Sequence, residues 1–452
     1  MTLARFGTDG VRGLANEELT ADVAMALGRA TARVIPATTF LIGRDTRRSG
    51  TLIQAALAAG FATEGADVID LGVIPTPGVA YLGERRELPA AVVSASHNPF
   101  ADNGIKVFGT GGSKLPLATE AAIEAAMDAI LADPDGPPRR PTGHGVGRIS
   151  VDERGPDEYR VHLESSLEGR RLDGLHVVLD CANGASSAFA PGVFRSLGAR
   201  VTAISCEPDG ANINDGCGST SPDKVANAVV AGGADLGLAF DGDADRLVAV
   251  DHTGAIADGD TLLALFAIDL AAHGRLAGNT VVVTVMTNLG FRRAMAERDI
   301  AVRETSVGDR HVLAAIDAEG LSLGGEQSGH IIFRQRATTG DGMLTGLILA
   351  DLLLRHGASL AALSDGVVVR VPQRLVNVAA ANPGRLAECP QIWEAVAEIE
   401  DELGDAGRVL LRPSGTEPLV RIMVEASDPD QLDAIVERLS VLVREVLGPV
   451  TH

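Results

Sequence analysis

Short apolar segments alternate with longer amphipathic segments along almost the whole chain. Residues 40–42, 67–71 and 90–94 are mostly apolar and have the length of strands, and the segment 49–64 has helical spacing. This alternation is typical of α/β folds, in which helices cover a mostly parallel sheet. The stretch 133–147 is rich in Pro and Gly, which is typical of a linker, and it ends this first part of the chain.

The same alternation recurs twice further along the chain. It predicts strands at 176–179, 201–204, 236–240, 247–250, 280–285, 302–305 and 322–324, and helices at 117–131, 159–167, 188–197, 260–272, 289–297, 309–319 and 342–355. From about Ser364 the alternation is sparser, with strands predicted at 367–371, 409–412 and 419–424 and helices at 392–403 and 431–446. This last part predicts a smaller domain of mostly antiparallel sheet with helices on one side. We therefore predict four domains, at 1–150, 151–252, 253–365 and 366–452.

Composition and charge restrict the kinds of molecule that the protein can bind. The chain has 452 residues, 46% of them hydrophobic but only 3% aromatic, so its core consists mainly of Ala, Val, Leu and Ile. The net charge of −21 repels nucleic acid, and any phosphate the protein binds must meet local Arg, Lys and backbone N–H groups. No apolar stretch is long enough to span a bilayer, so we expect no membrane association. The four cysteines show no C-x-x-C spacing, which predicts buried, reduced thiols in a cytoplasmic protein: Cys181, Cys206, Cys217 and Cys389.

A first polar loop follows the apolar segment 90–93. Ser96 lies between the end of the predicted strand and a turn that contains Pro99, and His97 beside it can hydrogen-bond its hydroxyl, as an activated nucleophile requires. Lys106 follows ten residues later, and a lysine near such a serine suits a phosphorylated intermediate. The alternative is an ordinary turn in which serine and asparagine hydrogen-bond the backbone.

A second loop follows the apolar segment 236–240 and carries three alternating carboxylates, Asp241, Asp243 and Asp245. Three carboxylates so close together repel one another, and a hard cation such as Mg²⁺ relieves that repulsion. An EF-hand is excluded, because Arg246 and His252 stand where that loop needs Gly and Glu. We predict a Mg²⁺ site whose remaining ligand is a phosphate. The alternative is a solvated acidic turn.

Three further loops have the composition of sugar- or phosphate-binding segments. One contains Glu326, Ser328 and His330 between glycines and suits the hydroxyls of a sugar. Another lacks the spacing of a nucleotide-binding P-loop but has the residues of a cradle for a phosphomonoester, namely Arg412, Ser414, Gly415, Thr416 and Arg421. The last, at 7–13, places Arg12 on what we predict to be a flexible turn. For the first and last of these, an ordinary turn is the alternative.

Together and in this order, the loops resemble the α-D-phosphohexomutase superfamily over essentially the whole chain. The resemblance implies an α/β protein of four domains around a central cleft, with three mixed α/β domains and a smaller C-terminal α+β domain. It also implies a mobile fourth domain that closes the cleft.

The resemblance also implies a role for each residue that matches a family motif. Ser96 matches the phosphorylated serine, and its phosphate would complete the ligands of one Mg²⁺ per chain with Asp241, Asp243 and Asp245. The positions around the transferring phosphate are Arg12, His97, Lys106, Arg246 and His330. Glu326 and Ser328 match the sugar-binding pair. The clamp for the phosphate that is not reacting comprises Arg412, Ser414, Gly415, Thr416 and Arg421.

Gln327 resembles the glucosamine branch of the superfamily, since phosphomannomutases usually carry Met at that position. The implied activity is that of an isomerase, an intramolecular phosphotransferase that interconverts glucosamine 6-phosphate and glucosamine 1-phosphate. Glucosamine 1,6-bisphosphate is the implied intermediate, and the product would supply UDP-N-acetylglucosamine for cell-wall synthesis. The alternatives are a mannose or glucose phosphate mutase, a Mg²⁺-dependent sugar phosphatase and a non-catalytic sugar-phosphate sensor. The sequence leaves open whether the chain forms a homodimer, and whether a priming kinase or autophosphorylation first phosphorylates Ser96.

Overall fold

Two units make up the chain in the computed structural model, which describes residues 5–7, 9–133, 136, 139–414 and 418–448. The first unit comprises Met1–Met286 and Ile300–Asp365, and the second comprises Thr287–Asp299 and Gly366–His452. Within the described ranges, no helix is both long and apolar enough to cross a membrane.

The first sheet of the first unit combines parallel strands with an antiparallel edge. Its strands β1–β7 are Phe6–Gly7, Gly10–Leu14, Thr39–Arg44, Asp67–Val73, Ala90–Val93, Asp102–Phe108 and Ile149–Val151. They lie in the order β1-β2-β6-β5-β3-β4-β7, in which β5, β3, β4 and β7 are parallel. Helices α1–α4 are Ala21–Val34, Gly50–Thr63, Thr76–Arg86 and Leu117–Ala132. Helices α1 and α2 pack closely at Gly28 and Gly60, because a Cβ on either glycine would lie 2.4 Å from a backbone oxygen of the other helix.

The second sheet carries the acidic loop. Strands β8–β12 are His176–Asp180, Arg200–Ile204, Leu236–Phe240, Leu247–Asp251 and Ile256–Ala257, in the order β12-β11-β10-β8-β9. Helices α5–α7 are Gly155–Ser165, Ala190–Ser196 and Asp223–Gly232. Strands β10 and β11 form an antiparallel hairpin in which Phe240 pairs with Leu247. The six residues between them are the acidic loop, which the hairpin holds at the carboxyl end of a buried parallel strand.

The third sheet has four strands in the order β14-β13-β15-β16. Strands β13–β16 are Thr280–Thr284, Ala301–Thr305, Leu323–Gly325 and Ile331–Phe333. Helices α8–α12 are Gly259–Ala272, Leu289–Ala296, Asp309–Glu319, Gly342–His356 and Leu360–Ser364, of which α9 belongs to the second unit. The Glu326–His330 loop joins the antiparallel strands β15 and β16.

The second unit has an antiparallel sheet in the order β17-β19-β18. Its strands are β17 (Gln373–Ala379), β18 (Gly407–Pro413) and β19 (Leu419–Ala426), and its larger helices are α13 (Pro390–Leu403) and α14 (Pro429–Leu447). Apolar side chains of both helices pack on one face of the sheet in a single core. The predicted fold class, with three mixed α/β domains and a smaller α+β domain, is confirmed.

Several expectations from the sequence are wrong in detail. No strand occupies 367–371, because the backbone of Val371 is paired with a side chain: its N–H donates to Asn288 Oδ1 (3.0 Å), and its carbonyl accepts from Asn288 Nδ2 (3.0 Å). The predicted turn at 7–13 is largely strand, since β2 pairs with β6 and Arg12 lies opposite Gly104. Strand β6 itself was not predicted, because Asn103 and Gly104 break the apolar pattern.

Two other sequence expectations concern the cysteines and the domain boundaries. Cys181, Cys217 and Cys389 are buried as expected, but Cys206 is only half-buried. Of the predicted linker at 133–147, residues 134, 135, 137 and 138 lie outside the described residues. The bounds of the four predicted domains stay a prediction.

Candidate active site

Ser96 lies at the carboxyl end of β5 in a strained turn. Its φ of 52° is left-handed, which is uncommon for a residue other than glycine and is often found where function requires it. The side chain is buried, and its Oγ donates to Asp241 Oδ2 (2.5 Å) and lies 3.3 Å from His97 Nδ1. The structure therefore brings Ser96, His97 and the acidic loop together, although 145 residues separate Ser96 from Asp241.

Arg47 holds the Ser96 loop from behind, and the sequence analysis missed it. Its guanidinium is buried and donates to the carbonyls of Ser96 (2.9 Å), Asn98 (2.8 Å) and Asp102 (3.0 Å), and also to that of Pro99. Buried hydrogen bonds from a charged donor are stronger than neutral ones. The loop that presents Ser96 is therefore fixed through its backbone.

Two neighbours complete this support. Asp45 is fully buried, and its Oδ2 accepts from Arg47 Nε (2.9 Å) and from the hydroxyl of Ser94 (2.6 Å). The amide of Asn214 donates to the carbonyl of Ser96 at 2.8 Å. Asp45 and Arg47 lie three and five residues after the predicted strand 40–42, in the region where ligand-binding loops occur in parallel sheets, but no sequence pattern pairs them with Ser96.

The three carboxylates of the acidic loop converge, with one oxygen from each lying within 4.8 Å of the others. Asp243 Oδ2 accepts from Thr76 Oγ1 (2.6 Å) and Lys106 Nζ (2.9 Å), and Asp245 Oδ2 accepts from Lys106 Nζ (3.0 Å). The opposite oxygens, Asp243 Oδ1 and Asp245 Oδ1, are buried and have no hydrogen-bond donor among the described residues. Buried carboxylate oxygens without donors are costly unless a cation takes them, so these residues fit a hard divalent cation.

Burial and nearby charges shift the pKa values of ionisable groups around Ser96. Burial and repulsion from Asp245 and Asp243 raise the pKa of Asp241 well above its usual value. Burial disfavours the charged form of Lys106. The negative charges of Asp243, Asp245 and Asp9 outweigh this effect, so the pKa of Lys106 is raised well above its usual value. Burial, with repulsion from nearby arginines, lowers the pKa of His97 to about 4. Lys106 is therefore a permanent cation, and His97 is neutral near pH 7.

A second group of charges joins the first and third sheets. Lys114 Nζ bridges Asp9 Oδ1 (2.8 Å) and Asp309 Oδ1 (2.7 Å), and Lys106 Nζ lies 3.1 Å from Asp9. His330 is buried, with its Nδ1 3.7 Å from Asp245 and its Nε2 3.6 Å from Asp309. Asp9, Lys114 and Asp309 carried no signal in the sequence, because their spacing of 105 and 195 residues has no local pattern.

The remaining predicted residues of the first unit lie around this centre. Arg12 donates to Asn98 Oδ1 (3.3 Å) and pairs with Asp9, and Arg246 Nε is 3.8 Å from Asp245 Oδ1. Glu326 Oε1 accepts from the N–H of Gly308 at 3.0 Å. Ser328 is exposed on the same loop.

The predicted phosphate clamp lies in the second unit. Arg412 on β18 stands directly opposite Arg421 on β19, and burial together with repulsion from Arg421 lowers the pKa of Arg412. Two guanidinium groups side by side favour an anion between them. The N–H of Ser414 donates to the carbonyl of Leu419 at 2.9 Å. Gly415 and Thr416 lie outside the described residues.

Four family models match the chain in order. They are the phosphoglucomutase/phosphomannomutase alpha/beta/alpha domain I over residues 4–133, domain II over 157–254, domain III over 258–370 and the C-terminal domain over 375–440. The chain is also 50% identical over 448 residues to the phosphoglucosamine mutase of Rhodococcus erythropolis, an alignment that covers 98% of this chain and 99% of that protein. The chain belongs to the phosphoglucosamine mutase family. The predicted superfamily is thereby confirmed, and so is the predicted enzyme class, an isomerase that acts as an intramolecular phosphotransferase.

Solved structures share the fold of the family at low sequence identity. A phosphoglucomutase/phosphomannomutase family protein from Burkholderia thailandensis matches with a TM-score of 0.80 and 24% identity, covering 97% of each chain. The N-acetylphosphoglucosamine mutase of Aspergillus fumigatus, solved in complex with GlcNAc-6P and magnesium, matches with a TM-score of 0.71 and 18% identity, covering 99% of this chain and 96% of that one.

Proposed function

We propose that the chain interconverts glucosamine 6-phosphate and glucosamine 1-phosphate by carrying a phosphoryl group on Ser96. The observation that supports this most is the placement of Ser96 Oγ, buried between His97 and three converging carboxylates in a backbone turn that Arg47 holds. A hydroxyl in such a position can accept and release a phosphoryl group repeatedly without reaching bulk water.

The proposed reaction has two symmetric half-reactions. Phospho-Ser96 transfers its phosphoryl group to O1 of glucosamine 6-phosphate, and the proton of that hydroxyl ends on Ser96 Oγ. The resulting glucosamine 1,6-bisphosphate then turns over, so that its 6-phosphate faces Ser96. In the second half-reaction Ser96 takes that phosphoryl group, and its own proton passes to O6.

His97 is the proposed proton carrier at Ser96 Oγ. Its Nδ1 lies 3.3 Å from that oxygen, and the pKa of its ring is lowered to about 4, so the ring is neutral near pH 7 and would hold a proton from this hydroxyl only briefly before passing it on. Lys106 is held positive by its carboxylate neighbours and is proposed to neutralise charge on the transferring phosphoryl group. Arg12, Arg246 and His330 line the same centre and are proposed to act with it.

We further propose that Asp241, Asp243 and Asp245 hold one Mg²⁺, with the phosphate on Ser96 as a further ligand. The donor-free oxygens of Asp243 and Asp245 support this assignment, as does the magnesium in the fungal structure. When bound, the ion would neutralise negative charge on the phosphoryl group as it moves between oxygens.

Several finer assignments belong to the same proposal. Glu326 and Ser328 would bind sugar hydroxyls, and Arg412, Ser414, Gly415, Thr416 and Arg421 would bind the phosphate that is not reacting. A homodimer, a cytoplasmic location and the source of the first phosphate on Ser96, a priming kinase or autophosphorylation, stay predictions.

The test separates a mutase from a phosphatase. Purified protein is incubated with Mg²⁺ and glucosamine 6-phosphate, primed with a hexose 1,6-bisphosphate, and both glucosamine 1-phosphate and free phosphate are followed; parallel runs use glucose and mannose 6-phosphates. We expect isomer formation well ahead of phosphate release, and fastest turnover with the glucosamine substrate. Release of phosphate without isomer would instead indicate a phosphatase.

A matched pair of variants tests the carrier. Ser96→Ala should lower activity by at least about 10³-fold, because the nucleophile is gone. Intact-mass measurement of the wild type should show a fraction heavier by one phosphate, and this fraction should be absent in Ser96→Ala. Ser165→Ala, which removes an exposed hydroxyl at the end of α5, should retain both the mass shift and the activity.

A further inference from the structure

Two thiols lie side by side where the second sheet ends. Strands β8 and β9 are parallel, and their last register pair is Asp180 with Ile204. The two segments stay paired beyond the strands, because Cys181 N donates to Ile204 O (3.2 Å) and Asn183 N donates to Ser205 O (2.6 Å). Cys181 and Cys206 are therefore on adjacent segments and one register position apart. Hydrogen-bonded segments lie about 5 Å apart, and a disulfide joins Cα atoms about 4–7 Å apart, so a bridge between the two cysteines is possible.

The two thiols differ in accessibility. Cys181 is fully buried, and Cys206 is half-buried. The Sγ of Cys206 donates to the carbonyl of Ser187 at 3.3 Å. One sulfur of the pair can thus meet a small solute, and the second lies on the neighbouring, buried segment.

The two sulfurs differ in reactivity as well. The neighbouring Cys181 thiol, together with the positive charge of Arg195, lowers the pKa of Cys206 to about 7. The neighbouring Cys206 and burial raise the pKa of Cys181 well above its usual value. A half-exposed thiolate backed by a second thiol is the arrangement found in cysteines that peroxides oxidise.

We propose that Cys206 and Cys181 form an oxidation site, in which a peroxide converts the two thiols to a disulfide and thereby slows the enzyme. The Cys206 thiolate attacks one oxygen of hydrogen peroxide, which gives a sulfenic acid and, with one proton, a molecule of water. The sulfur of Cys181 then displaces the hydroxyl of the sulfenic acid, and the Cys181 proton leaves with that hydroxyl as a second water. Two thiols are oxidised and one peroxide is reduced, and a dithiol reverses the change.

The loop after Cys181 connects this pair to the catalytic centre. Ala182 O accepts from the N–H of Asn214 (2.9 Å), whose side-chain amide donates to the carbonyl of Ser96 (2.8 Å). Ala185 N donates to the carbonyl of Gly242 (2.8 Å), between the first two carboxylates of the acidic loop. A change at Cys181 therefore reaches both the nucleophile loop and the acidic loop.

The backbone here has little freedom to absorb a new bond. Ala182 (φ 53°), Asn183 (φ 48°) and Ser205 (φ 47°) are all left-handed and flank the two cysteines. A Cβ on Gly184 would lie 2.3 Å from Gly242 O, so the two loops are in direct contact. We therefore expect a covalent bond between the two sulfurs to shift residues 182–185, and with them the loops that they contact.

Peptide mapping and activity together test the site. The wild-type enzyme is treated with hydrogen peroxide, the remaining thiols are blocked, and the digest is searched for disulfide-linked peptides. We expect one linkage, between Cys181 and Cys206, with isomerase activity lowered at least about 10-fold and restored by dithiothreitol. A displacement of about 1 Å in a catalytic group costs about 10²-fold, so a smaller shift is enough for this loss. The mapping does not depend on the proposed function, since the linkage would form in a protein of any activity.

Variants assign the effect to this pair. Cys206→Ser should keep its activity in peroxide, and Cys217→Ser, which removes a buried thiol of the same sheet region, should lose activity as the wild type does. Any of three results would overturn the proposal. The thiols could stay reduced in peroxide, or the linkage could involve Cys217 or Cys389. The Cys181–Cys206 disulfide could also form while activity stays within twofold of the untreated enzyme.

Discussion

Arg47 should control catalysis without touching the substrate. Its guanidinium reaches four backbone carbonyls of the Ser96 loop and the carboxylate of Asp45, all from a fully buried position. Hydrogen bonds from a charged group contribute about 1.5–3 kcal/mol each, and removal of one partner of a buried ion pair costs about 3–5 kcal/mol. Arg47→Met leaves Asp45 buried without its cation, so we expect it to lose about 3–5 kcal/mol of stability.

Arg47→Lys is the more informative change for function. Lysine keeps the charge that Asp45 needs, but its three N–H donors cannot serve all the acceptors that the guanidinium reaches. The left-handed turn at Ser96 would relax, and displacement of a reacting group by about 1 Å costs about 10²-fold in rate. We therefore expect kcat to fall by about 10²-fold and KM for the sugar phosphate to change by less than about threefold.

The assay measures kcat and KM by coupled isomer formation, together with the phosphoserine fraction by intact mass and the melting temperature. Arg48→Met is the control, since Arg48 is the next residue and its side chain is exposed. Normal kcat in Arg47→Lys, or a loss confined to KM, would show that the loop does not depend on this side chain and would refute the reasoning.

Three further changes test other parts of the protein. Asp243→Asn should weaken Mg²⁺ activation by at least about 10-fold, because an amide is a poorer ligand for a hard dication; Asp215→Asn, at an exposed position, should not, and an unchanged Mg²⁺ requirement in Asp243→Asn would exclude the site. Arg421→Ala should slow phosphoryl transfer in both directions by about 10-fold or more, whereas a loss in one direction only would exclude reorientation of the bisphosphate. Asp341 lies outside this group of residues, as the buried N-cap of α11, and its carboxylate accepts from the hydroxyl of Tyr159 at 2.7 Å. Burial raises the pKa of Asp341 to about 6, so between about pH 4 and about pH 6 the folded protein holds a proton there that the unfolded chain has lost. The stability that this proton contributes is present at low pH and is lost as the pH rises through about 4–6. The free energy of unfolding of Asp341→Asn, relative to that of the wild type, should therefore increase by about 1 kcal/mol from about pH 5 to about pH 7, as measured by thermal unfolding. The same difference between variant and wild type at both pH values would contradict the assignment.

The sequence alone determined the layered α/β architecture and the loops that carry the chemistry. Apolar segments such as Leu236–Phe240 are buried strands because a short apolar run fits a strand that is covered on both faces, and a loop at the end of such a strand has a defined place in a parallel sheet. Ser96 and the three carboxylates, Asp241, Asp243 and Asp245, could be chosen because each lies in such a loop with a local pattern. Local patterns are what a sequence displays directly.

Only the tertiary structure decided which side chains support those loops. Arg47 contacts Ser96 across 49 residues, and Lys114 bridges Asp9 and Asp309 across 105 and 195 residues, so neither partner is visible in spacing. The same reason explains the error at 367–371, where an apolar run has the composition of a strand but Asn288, 83 residues away, takes the backbone groups of Val371. Composition predicts that a segment is buried, whereas the partner of its polar groups depends on which distant segment folds against it.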